Sequence, residues 1–452
     1  MYFIYSLLMG LAAILLTPYW LVQGLRHGKY FSNLGQRLGF SFPTLGKLPE
    51  KHAGAIWIHA VSVGEALSGV TLARRLKQTY PDRPVVISTT TLTGQALARE
   101  RMPFADAVFY FPLDWVFCVR RALRAVRPSI VIVLETEIWP NFLREAHRAG
   151  VPVIFANGRF SDRSFRRLSR AVSFSGGFLR GFVSGVLNHA TLFLAQSDED
   201  RARLISLGAE PERVSAGGNV KYDLALPAEN PLVAWLSAEI SRAGCGPLLV
   251  AGSVIKGEES AVLRAFDTVA GKWPRAVLLM APRKPERFDA AAEIISANGW
   301  RVVRRSTLSL SGTSANVLQS PRGEAPTVLV LDSIGELAAV YGIADAVFVG
   351  GSLEPAGGHN PLEPAALGRA PVFGSSMDNF REISERLLEA DAAVQVSSGE
   401  ELGAAWTALL EDESRRARMG RAAKELVERH RGATAITIER IASVLAEKQD
   451  RG

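Results

Sequence analysis

Short apolar runs rich in Val and Ile recur along most of the chain, and amphipathic segments of helical length separate them. This alternation is typical of parallel strands joined by crossover helices, because such strands are buried on both faces. The runs cover residues 55–63, 84–90, 107–113, 130–135, 151–157, 191–196, 247–253, 276–282, 327–332, 346–351 and 370–374. Because the series restarts after Pro227, the sequence predicts two doubly wound α/β domains.

The domain boundaries follow from this restart. A chain of 452 residues has room for two or three domains at about 150 residues each. We predict one Rossmann-like domain over residues 26–225 and a second over 226–452, with the switch in the stretch 224–246. The charged tail after residue 412 is predicted as a final helix, which can pack back on the first domain. Two facing domains of this kind bind ligands in the cleft at the carboxyl ends of their strands.

Composition excludes some classes of protein and favours others. The two cysteines, Cys118 and Cys245, are far apart and outside any C-x-x-C spacing, which excludes a disulfide scaffold and a cysteine-built zinc site. Residues 1–225 carry 27 Lys and Arg against 16 Asp and Glu, whereas residues 226–452 carry 25 against 29. The basic first half favours an anionic partner: a membrane surface, an anionic lipid or a nucleic acid.

The first 25 residues carry no charged side chain. Such a stretch can cross a bilayer, aromatic residues lie near both of its ends, and Arg26, Lys29 and Arg37 follow it. We therefore predict a membrane anchor, spanning or deeply embedded, and the positive charges after it place the rest of the chain in the cytoplasm. A cleaved signal peptide is disfavoured because there is no A-x-A site, and Pro18 leaves open a helix lying in the interface. The anchor favours anionic lipids over nucleic acid.

Carboxylates follow two strands of the first predicted domain. Glu65 comes just after the first strand and Gly64, at the start of a helix, and Glu135 and Glu137 follow the fourth strand. Glu135 and Glu137 would share a face if the chain stays extended, whereas a turn would separate them. The structural alternative for Glu65 is an acid favoured by the helix dipole. For the pair, the alternative is an ordinary strand end beside a turn.

Charged motifs also follow strands of the second domain. Residues 251–253 close one strand before the segment KGEE, and the segment DSIGEL at 332–337 follows another. Arg283 follows a third strand, between two prolines that fix the backbone around it. A rigid guanidinium at a strand end suits a phosphate, because its planar fork binds two oxygens.

The last of these motifs is rich in glycine. Gly350 and Gly351 end a strand and lead into GGHNPLEP at residues 357–364. Glycines before a helix offer backbone N–H groups to an anion, and Glu363 could bind a ribose diol. The structural alternative is a capping box, because Asn360 and Glu363 have its spacing.

Two motifs that suggest other chemistry have simpler explanations. Asp198 and Asp200 match the D-x-D of metal-dependent sugar transferases, but they open a helix, where acids are favoured. The seven histidines include no H-E-x-x-H pair, and His59 is interpreted as structural. There is no P-loop and no G-x-G-x-x-G after the first strand. We therefore expect neither a metal nor a cofactor.

The chain closely resembles the bacterial transferases of 3-deoxy-D-manno-octulosonic acid (Kdo) over nearly its whole length. The resemblance lies in the motifs HAVSVGE (59–65), LETEIWPN (134–141), GNVKYDL (218–224), APRKPERF (281–288), DSIGEL (332–337) and GGSLEPAGGHNPLEPA (350–365). It implies a GT-B fold and inverting transfer of Kdo from CMP-Kdo to a lipid A precursor, lipid IVA, in lipopolysaccharide synthesis. It also implies that no catalytic metal takes part.

The resemblance further implies roles for individual residues. Glu65 matches the general base, and Glu135 and Lys221 match the stabilisers of the transition state. The residues that match the family's CMP contacts are Pro282, Arg283, Ile334, Gly335, Glu336, Asn360, Pro361, Leu362 and Glu363. We also predict that the strand-end residues Ser253 and Gly351 bind the donor. One departure is Ile255, where the family often has His; any role of that His is absent or supplied by Lys256.

A basic segment at residues 159–193 is predicted as the membrane and acceptor face. Arg163, Arg166, Arg167 and Arg170 recur at helical steps and share one face, with apolar positions on another. This pattern suits an anionic membrane surface that holds a phosphorylated glycolipid acceptor. The alternatives are a solvated helix face with phenylalanines in the core and, less favoured, an RNA-binding arm.

Two other functions stay open from the sequence. A GT-B nucleotide-sugar epimerase would share the fold, but the membrane anchor argues against it. A non-catalytic adaptor that binds membrane lipids would explain the anchor and the basic half, but it would leave the donor motifs unexplained.

Overall fold

The computed structural model describes residues 1–27, 33–42, 54–61, 63–160, 162–174, 177–310, 317–318 and 326–450. The chain divides into two compact units, one of Met1–Asp223 with Arg431–Gly452 and the other of Leu224–His430. Each unit contains a seven-stranded parallel sheet in its described residues. The predicted pair of doubly wound α/β domains is thereby confirmed.

The first unit alternates strands and helices in chain order. Up to residue 223 its elements are α1 (Tyr2–His27), α2 (Leu34–Arg37), β1 (Ala55–Ala60), α3 (Val63–Thr79), β2 (Val85–Thr89), α4 (Leu92–Arg101), β3 (Ala107–Tyr110), α5 (Val116–Val126), β4 (Pro128–Leu134), α6 (Pro140–Arg148), β5 (Val153–Gly158), α7 (Asp162–Phe174), α8 (Phe178–Leu187), β6 (Leu192–Ala195), α9 (Asp198–Ser206) and β7 (Val214–Ala216).

The second unit repeats the alternation. Its elements are α10 (Pro231–Ala243), β8 (Leu248–Val254), α11 (Glu259–Lys272), β9 (Val277–Pro282), α12 (Phe288–Ala297), β10 (Arg301–Arg304), β11 (Thr327–Val330), α13 (Leu337–Val340), β12 (Ala346–Val349), α14 (Leu362–Ala366), β13 (Pro371–Gly374), α15 (Arg381–Glu389), β14 (Val394–Val396), α16 (Gly399–Glu411) and α17 (Glu413–Arg429). The last helix, α18 (Ala433–Asp450), belongs to the first unit.

The order of the strands determines where a ligand can bind. The first sheet runs β3-β2-β1-β4-β5-β6-β7 and the second runs β10-β11-β9-β8-β12-β13-β14. The winding direction therefore reverses between β1 and β4 in one sheet and between β8 and β12 in the other. Open α/β sheets bind ligands outside the carboxyl ends of the strands at such switch points.

Alternate residues of β1 pack on opposite faces of the first sheet. Trp57 joins a core of aromatic and aliphatic side chains on one face, whereas Ile58 joins the core on the other. Ile441 and Leu445 of α18 belong to that second core, so the C-terminal helix covers one face of the first sheet. Asp223 stabilises the start of α18, because its carboxylate accepts the N–H groups of Gly432 and Thr434 at 2.6 and 2.5 Å.

Helix α1 lies where the sequence predicts the membrane anchor, but the anchor itself is not shown. Within the part of the chain that the structure describes, no helix combines the length and the hydropathy needed to cross a bilayer. One face of α1 packs on its own unit: the Tyr5 hydroxyl donates to Asp114 at 3.0 Å, and Arg144 lies over the ring of Tyr2 at 4.3 Å. The opposite face leaves large apolar side chains exposed, namely Phe3, Ile4, Leu7, Leu8, Leu11, Ile14, Leu15 and Leu16.

Candidate functional site

Glu65 lies in the first turn of α3, at the carboxyl end of β1, as the sequence predicts. Its carboxylate accepts the N–H of Val61 at 2.6 Å, and the side chain is buried. Helix α3 passes directly over the end of β4, because a Cβ at Gly69 would lie 2.5 Å from Cδ1 of Leu134. Glu65 is one turn earlier on the same helical face, which directs it towards the residues that follow Leu134.

Glu135 is the first residue beyond β4, and the chain turns there. Its φ of 58° lies in the left-handed region, which is uncommon for a side chain of this size. Its N–H still donates to the carbonyl of Ala156 at 2.9 Å, which holds the turn against β5. The hydroxyl of Thr136 then donates to the carbonyl of Arg159 at 2.7 Å and accepts its N–H at 2.8 Å. These contacts fix the loop that carries Glu135 and Glu137.

Glu137 is in electrostatic contact with both other carboxylates. Burial, followed by the charges of Glu65 and Glu135, raises its pKa from 4.5 to about 7. The turn at Glu135 therefore does not remove Glu137 from the group, which settles the alternative left open by the sequence. With a pKa near 7, the carboxyl group of Glu137 is partly protonated at neutral pH. We call Glu65, Glu135 and Glu137 the carboxylate cluster.

Lys221 lies in a short helical turn, Val220–Tyr222, near the ends of β5 and β6. The N–H of Val220 donates to the side chain of Asn157 at 3.1 Å, and the amide of Asn219 donates to Gln196 at 3.2 Å. The turn packs against α3, the helix that carries Glu65. The three residues predicted as catalytic thus belong to one unit and to one edge of its sheet.

Arg283, Glu363 and His359 are brought together in the second unit from two separate strand ends. Arg283 is exposed, and its backbone N–H donates to the carbonyl of Val254 at 2.8 Å. Burial raises the pKa of Glu363, against the opposing effects of Asn360 and the Arg283 charge. Burial and the same Arg283 lower the pKa of His359 to about 4, so its imidazole is neutral at pH 7.

The buried wall beside this group contains Tyr341 and Gly252. A Cβ at Gly252 would lie 1.8 Å from the hydroxyl oxygen of Tyr341, so only glycine allows this contact. Burial and then the charge of Glu363 raise the pKa of the Tyr341 hydroxyl well above its ordinary value. The nearby Ser253 has a φ of 56°, so the strand bends at its predicted donor-binding end.

The segment 357–364 does not form the complete capping box of the structural alternative, because the N-cap of α14 is Pro361 and it makes no side-chain cap hydrogen bond. The side chain of Asn360 accepts the N–H of Leu362 at 3.1 Å, and it also hydrogen-bonds with Glu363. Pro361 and Leu362 are buried and open α14, so they shape the segment. The expectation that the N–H of Gly351 is offered to a ligand anion is wrong, because it donates to the buried carboxylate of Glu258 at 2.7 Å.

The three predicted donor-binding residues of the loop 332–337 differ in their exposure and contacts. Ile334 is 70% exposed, which leaves its side chain open to a ligand. Gly335 has a φ of 92°, as a tight turn requires. Glu336 is held by Arg305 through two hydrogen bonds of 3.0 and 2.9 Å.

The predicted residues at the ends of β8 and β9 are also in place. Pro282 is the buried last residue of β9. Ile255 donates its N–H to Glu258 at 3.0 Å, and Lys256 is exposed in the adjacent turn.

The motifs set aside in the sequence have structural roles. Asp200 lies in the first turn of α9, where Ser197 caps the helix and the Asp200 carboxylate accepts the N–H of Phe160 at 2.9 Å. His59 lies in the core, stacked on Phe111 at 3.8 Å, and burial lowers its pKa to about 3. No group of three or more His, Cys, Asp or Glu suited to a metal occurs among the described residues.

Helix α7 forms where the basic amphipathic segment is predicted. Arg166, Arg167 and Arg170 are exposed, whereas Phe165 and Leu168 pack against the core of the first unit. The side chain of Arg163 lies outside the described residues. Phe174, the last residue of α7, and Phe178, the first residue of α8, are exposed at 92% and 66%. The segment therefore combines a basic face with two outward phenylalanines.

A family model described as 3-deoxy-D-manno-octulosonic-acid transferase (kdotransferase) matches residues 32–224. The 3-deoxy-D-manno-octulosonic acid transferase of Haemophilus influenzae is 33% identical to the chain, over 95% of this chain and 96% of that protein. The chain belongs to the Kdo transferase family. The transferase of the same name from Bordetella pertussis is 32% identical, over 87% of this chain and 88% of its own length. The protein is therefore a glycosyltransferase, as its motifs predict.

Solved structures agree with this assignment at the level of the fold. A putative UDP-N-acetylglucosamine 2-epimerase from Listeria monocytogenes superposes with a TM-score of 0.52 at 12% identity, over 88% of this chain and 97% of that one. So distant a likeness shows the fold alone: two parallel-sheet α/β domains that resemble those of GT-B glycosyltransferases. It carries no evidence for epimerase activity.

Sequence reasoning missed two residues of the second unit. His359 precedes the recognised NPLE motif, and its Nε2 is buried with no hydrogen-bond partner in the described part of the chain. Tyr341 follows α13 and had no signal of its own. Gly252 and Tyr341 are far apart in the chain, so no local sequence pattern indicates that they are in contact.

Proposed function

We propose that the protein transfers Kdo from CMP-Kdo to a lipid A precursor, lipid IVA, in lipopolysaccharide synthesis, with inversion at the anomeric carbon. The single observation that carries the proposal is the carboxylate cluster at the first switch point, in a chain of the Kdo transferase family. A sugar hydroxyl is a poor nucleophile until a base accepts its proton, and the cluster supplies carboxylates for that purpose.

Glu65 acts as the general base in this proposal. It accepts the proton of the acceptor hydroxyl as the oxygen attacks the anomeric carbon, and the bond to the CMP phosphate breaks on the opposite side. Glu135 stabilises the positive charge that develops on the sugar ring, because a carboxylate is complementary to that charge. Lys221 supplies a cation for the negative charge of the donor.

The leaving CMP carries negative charge on its phosphate, so a cation must meet it. Arg283 provides a guanidinium fork on an exposed strand end, and its neighbour Glu363 offers oxygens to the ribose hydroxyls. Neutral His359 and exposed Ile334 complete the surroundings of the nucleotide. We propose that this charge stabilisation needs no metal ion.

The protein binds the cytoplasmic face of the inner membrane in this proposal. The exposed apolar side of α1 supplies apolar area of the kind that interfacial helices bury. The arginines of α7 attract anionic lipids and the phosphates of the acceptor, and Phe174 and Phe178 contact acyl chains. Membrane docking would bring the enzyme to a substrate that does not leave the bilayer.

The direct test incubates the purified protein with CMP-Kdo and tetra-acylated lipid A precursor, followed by mass spectrometry of the lipid. The expected result is a mass gain of one or more Kdo residues with release of CMP. Activity is expected to persist in EDTA, and complete loss would revive the D-x-D at Asp198 and Asp200 as a metal site. Interconversion of nucleotide sugars without lipid modification would favour an epimerase. Lipid binding with no turnover would favour an adaptor.

A further inference from the structure

Glu258 follows β8 at the switch point of the second sheet, and its side chain is fully buried. One carboxylate oxygen accepts the N–H groups of Ser352 and Leu353 at 2.9 and 3.0 Å. The other oxygen accepts the N–H groups of Gly351 and Ile255 at 2.7 and 3.0 Å. A single buried carboxylate therefore binds four backbone donors, three of which are consecutive in the loop after β12.

Consecutive N–H groups that converge on one point form a nest, which proteins commonly use to hold phosphates and other anions. A nest beside a switch point is where an open α/β sheet usually receives the anionic part of a nucleotide. Here the chain fills the nest with its own carboxylate. The fit leaves no room for a side chain at Gly350, where a Cβ would lie 2.6 Å from the Ser253 carbonyl and 2.9 Å from Glu258 Oε2.

The loop held by Glu258 is joined directly to the donor motif. The N–H of Gly358 donates to the carbonyl of Gly351 at 2.7 Å, and the N–H of His359 donates to that of Gly350 at 3.1 Å. His359 is followed immediately by Asn360, and Glu363 lies in the next turn. A shift of the loop 350–353 would therefore displace the segment that carries these side chains.

We propose that Glu258 is a positioning residue of the donor site. Its carboxylate acts as an internal anion that fixes the loop 350–353 against the turn between β8 and α11, so donor anions are bound by side chains and not by this nest. The inference deepens the proposed function, because it rests on donor binding by the second unit.

Substitutions of Glu258 test whether the four N–H groups need its carboxylate as their acceptor. Glu258→Ala leaves four buried N–H groups without an acceptor, and buried donors left unpaired are strongly disfavoured. Glu258→Gln keeps the volume, but its NH₂ group faces N–H donors and only one oxygen remains to accept. Formate carries the same carboxylate head in a small molecule, so it can refill the nest of the alanine variant.

The experiment compares the full-length wild type with Glu258→Ala, Glu258→Gln and the control Glu354→Gln. Glu354 is an exposed carboxylate in the same loop, and it lies against Gly257. Calorimetry measures CMP affinity, and hydrogen exchange measures protection of the 351–353 amides, each in sodium formate and in sodium chloride at equal ionic strength. Circular dichroism checks that the variants are folded.

We expect both Glu258 variants to lose CMP affinity by about tenfold or more and to lose protection at 351–353. Formate should restore both properties in Glu258→Ala and leave wild type and Glu354→Gln unchanged. Folded variants that keep their CMP affinity and protection would overturn the inference. So would variants that unfold without rescue by formate, because Glu258 would then be structural only.

The two readouts separate this inference from the proposed function. If the wild type binds no CMP, the proposed function fails, and hydrogen exchange still tests whether Glu258 holds the loop. If the wild type binds CMP and both Glu258 variants bind it equally well, the proposed function stands and the positioning role fails.

Discussion

Glu65 and Glu258 occupy equivalent places in the two units, yet their surroundings differ. Each follows the first strand of its sheet by a few residues and lies beside the switch point. Glu258 accepts four backbone N–H groups and is fully buried. Glu65 accepts the N–H of Val61 and belongs to the carboxylate cluster, in which its charge and that of Glu135 raise the pKa of Glu137.

In the function that we propose, the same topology serves a different purpose in each unit. A carboxylate whose oxygens are filled by backbone donors fixes a loop, because moving it would leave all of those donors unpaired. Carboxylates that face one another compete for protons, which is the condition for acid–base chemistry. We infer that the first switch point is built for proton transfer and the second for shaping a binding site.

The largest expected effect tests the role of Glu65 in proton transfer at the first switch point. Glu65→Gln keeps the size of the side chain but removes its ability to accept a proton, so kcat should fall by roughly 10²–10⁴. Mass spectrometry of the lipid product at saturating substrates measures the fall. CMP affinity should be unchanged, and Glu100→Gln, an exposed site on α4, serves as the control. Near-normal turnover of Glu65→Gln would assign the base elsewhere.

The next largest effect tests nucleotide binding by the second unit. Arg283→Ala should weaken CMP binding by about 10- to 100-fold, corresponding to the roughly 1.5–3 kcal/mol of a charge-assisted hydrogen bond. Arg283→Lys should recover only part of the affinity, because the bidentate fork is lost. Glu363→Ala should also weaken binding, whereas Lys284→Ala, an exposed neighbouring cation, should not. Unchanged affinity in both the Arg283 and Glu363 alanine variants would show that the donor site lies elsewhere.

A smaller effect separates membrane docking from chemistry. Reversal of Arg163, Arg166, Arg167 and Arg170 to Glu should lower binding to anionic liposomes by at least about tenfold and raise the acceptor KM, while CMP affinity stays constant. A matched reversal of Arg418, Arg421, Lys424 and Arg429 on α17 has the same charge change and should leave liposome binding near that of the wild type. Equal losses of liposome binding in both variants would show that only the net charge of the protein matters.

The smallest effect is a pH dependence of stability in the carboxylate cluster. The pKa of Glu137 is raised from 4.5 to about 7 in the fold, so the folded chain binds this proton more tightly than the unfolded chain does. Stability is therefore lost as the pH rises from 4.5 through 7. Glu137→Gln should raise Tm by about 2–5 °C at pH 8 and have little effect at pH 4. A Tm difference independent of pH would exclude ionisation as its cause.

The sequence by itself determined the class of fold and the places of the motifs. All eleven apolar runs are strands, because a buried parallel strand needs a continuous apolar run. The three strands that had no such run are β7, β10 and β14, and each lies at an edge of its sheet. An edge strand is covered on fewer sides, so its residues can be polar: β10 begins and ends with arginine.

Only the tertiary structure decided which residues meet. The contacts of Glu258 with the loop after β12 join positions 93 to 95 residues apart, and those of Asp223 with the start of α18 join positions 209 and 211 apart. A local pattern of apolar and polar residues does not encode such pairs, because strand order and helix packing set them. For this reason the sequence marked Gly351 as a binding site for an external anion, whereas the fold supplies that anion from within.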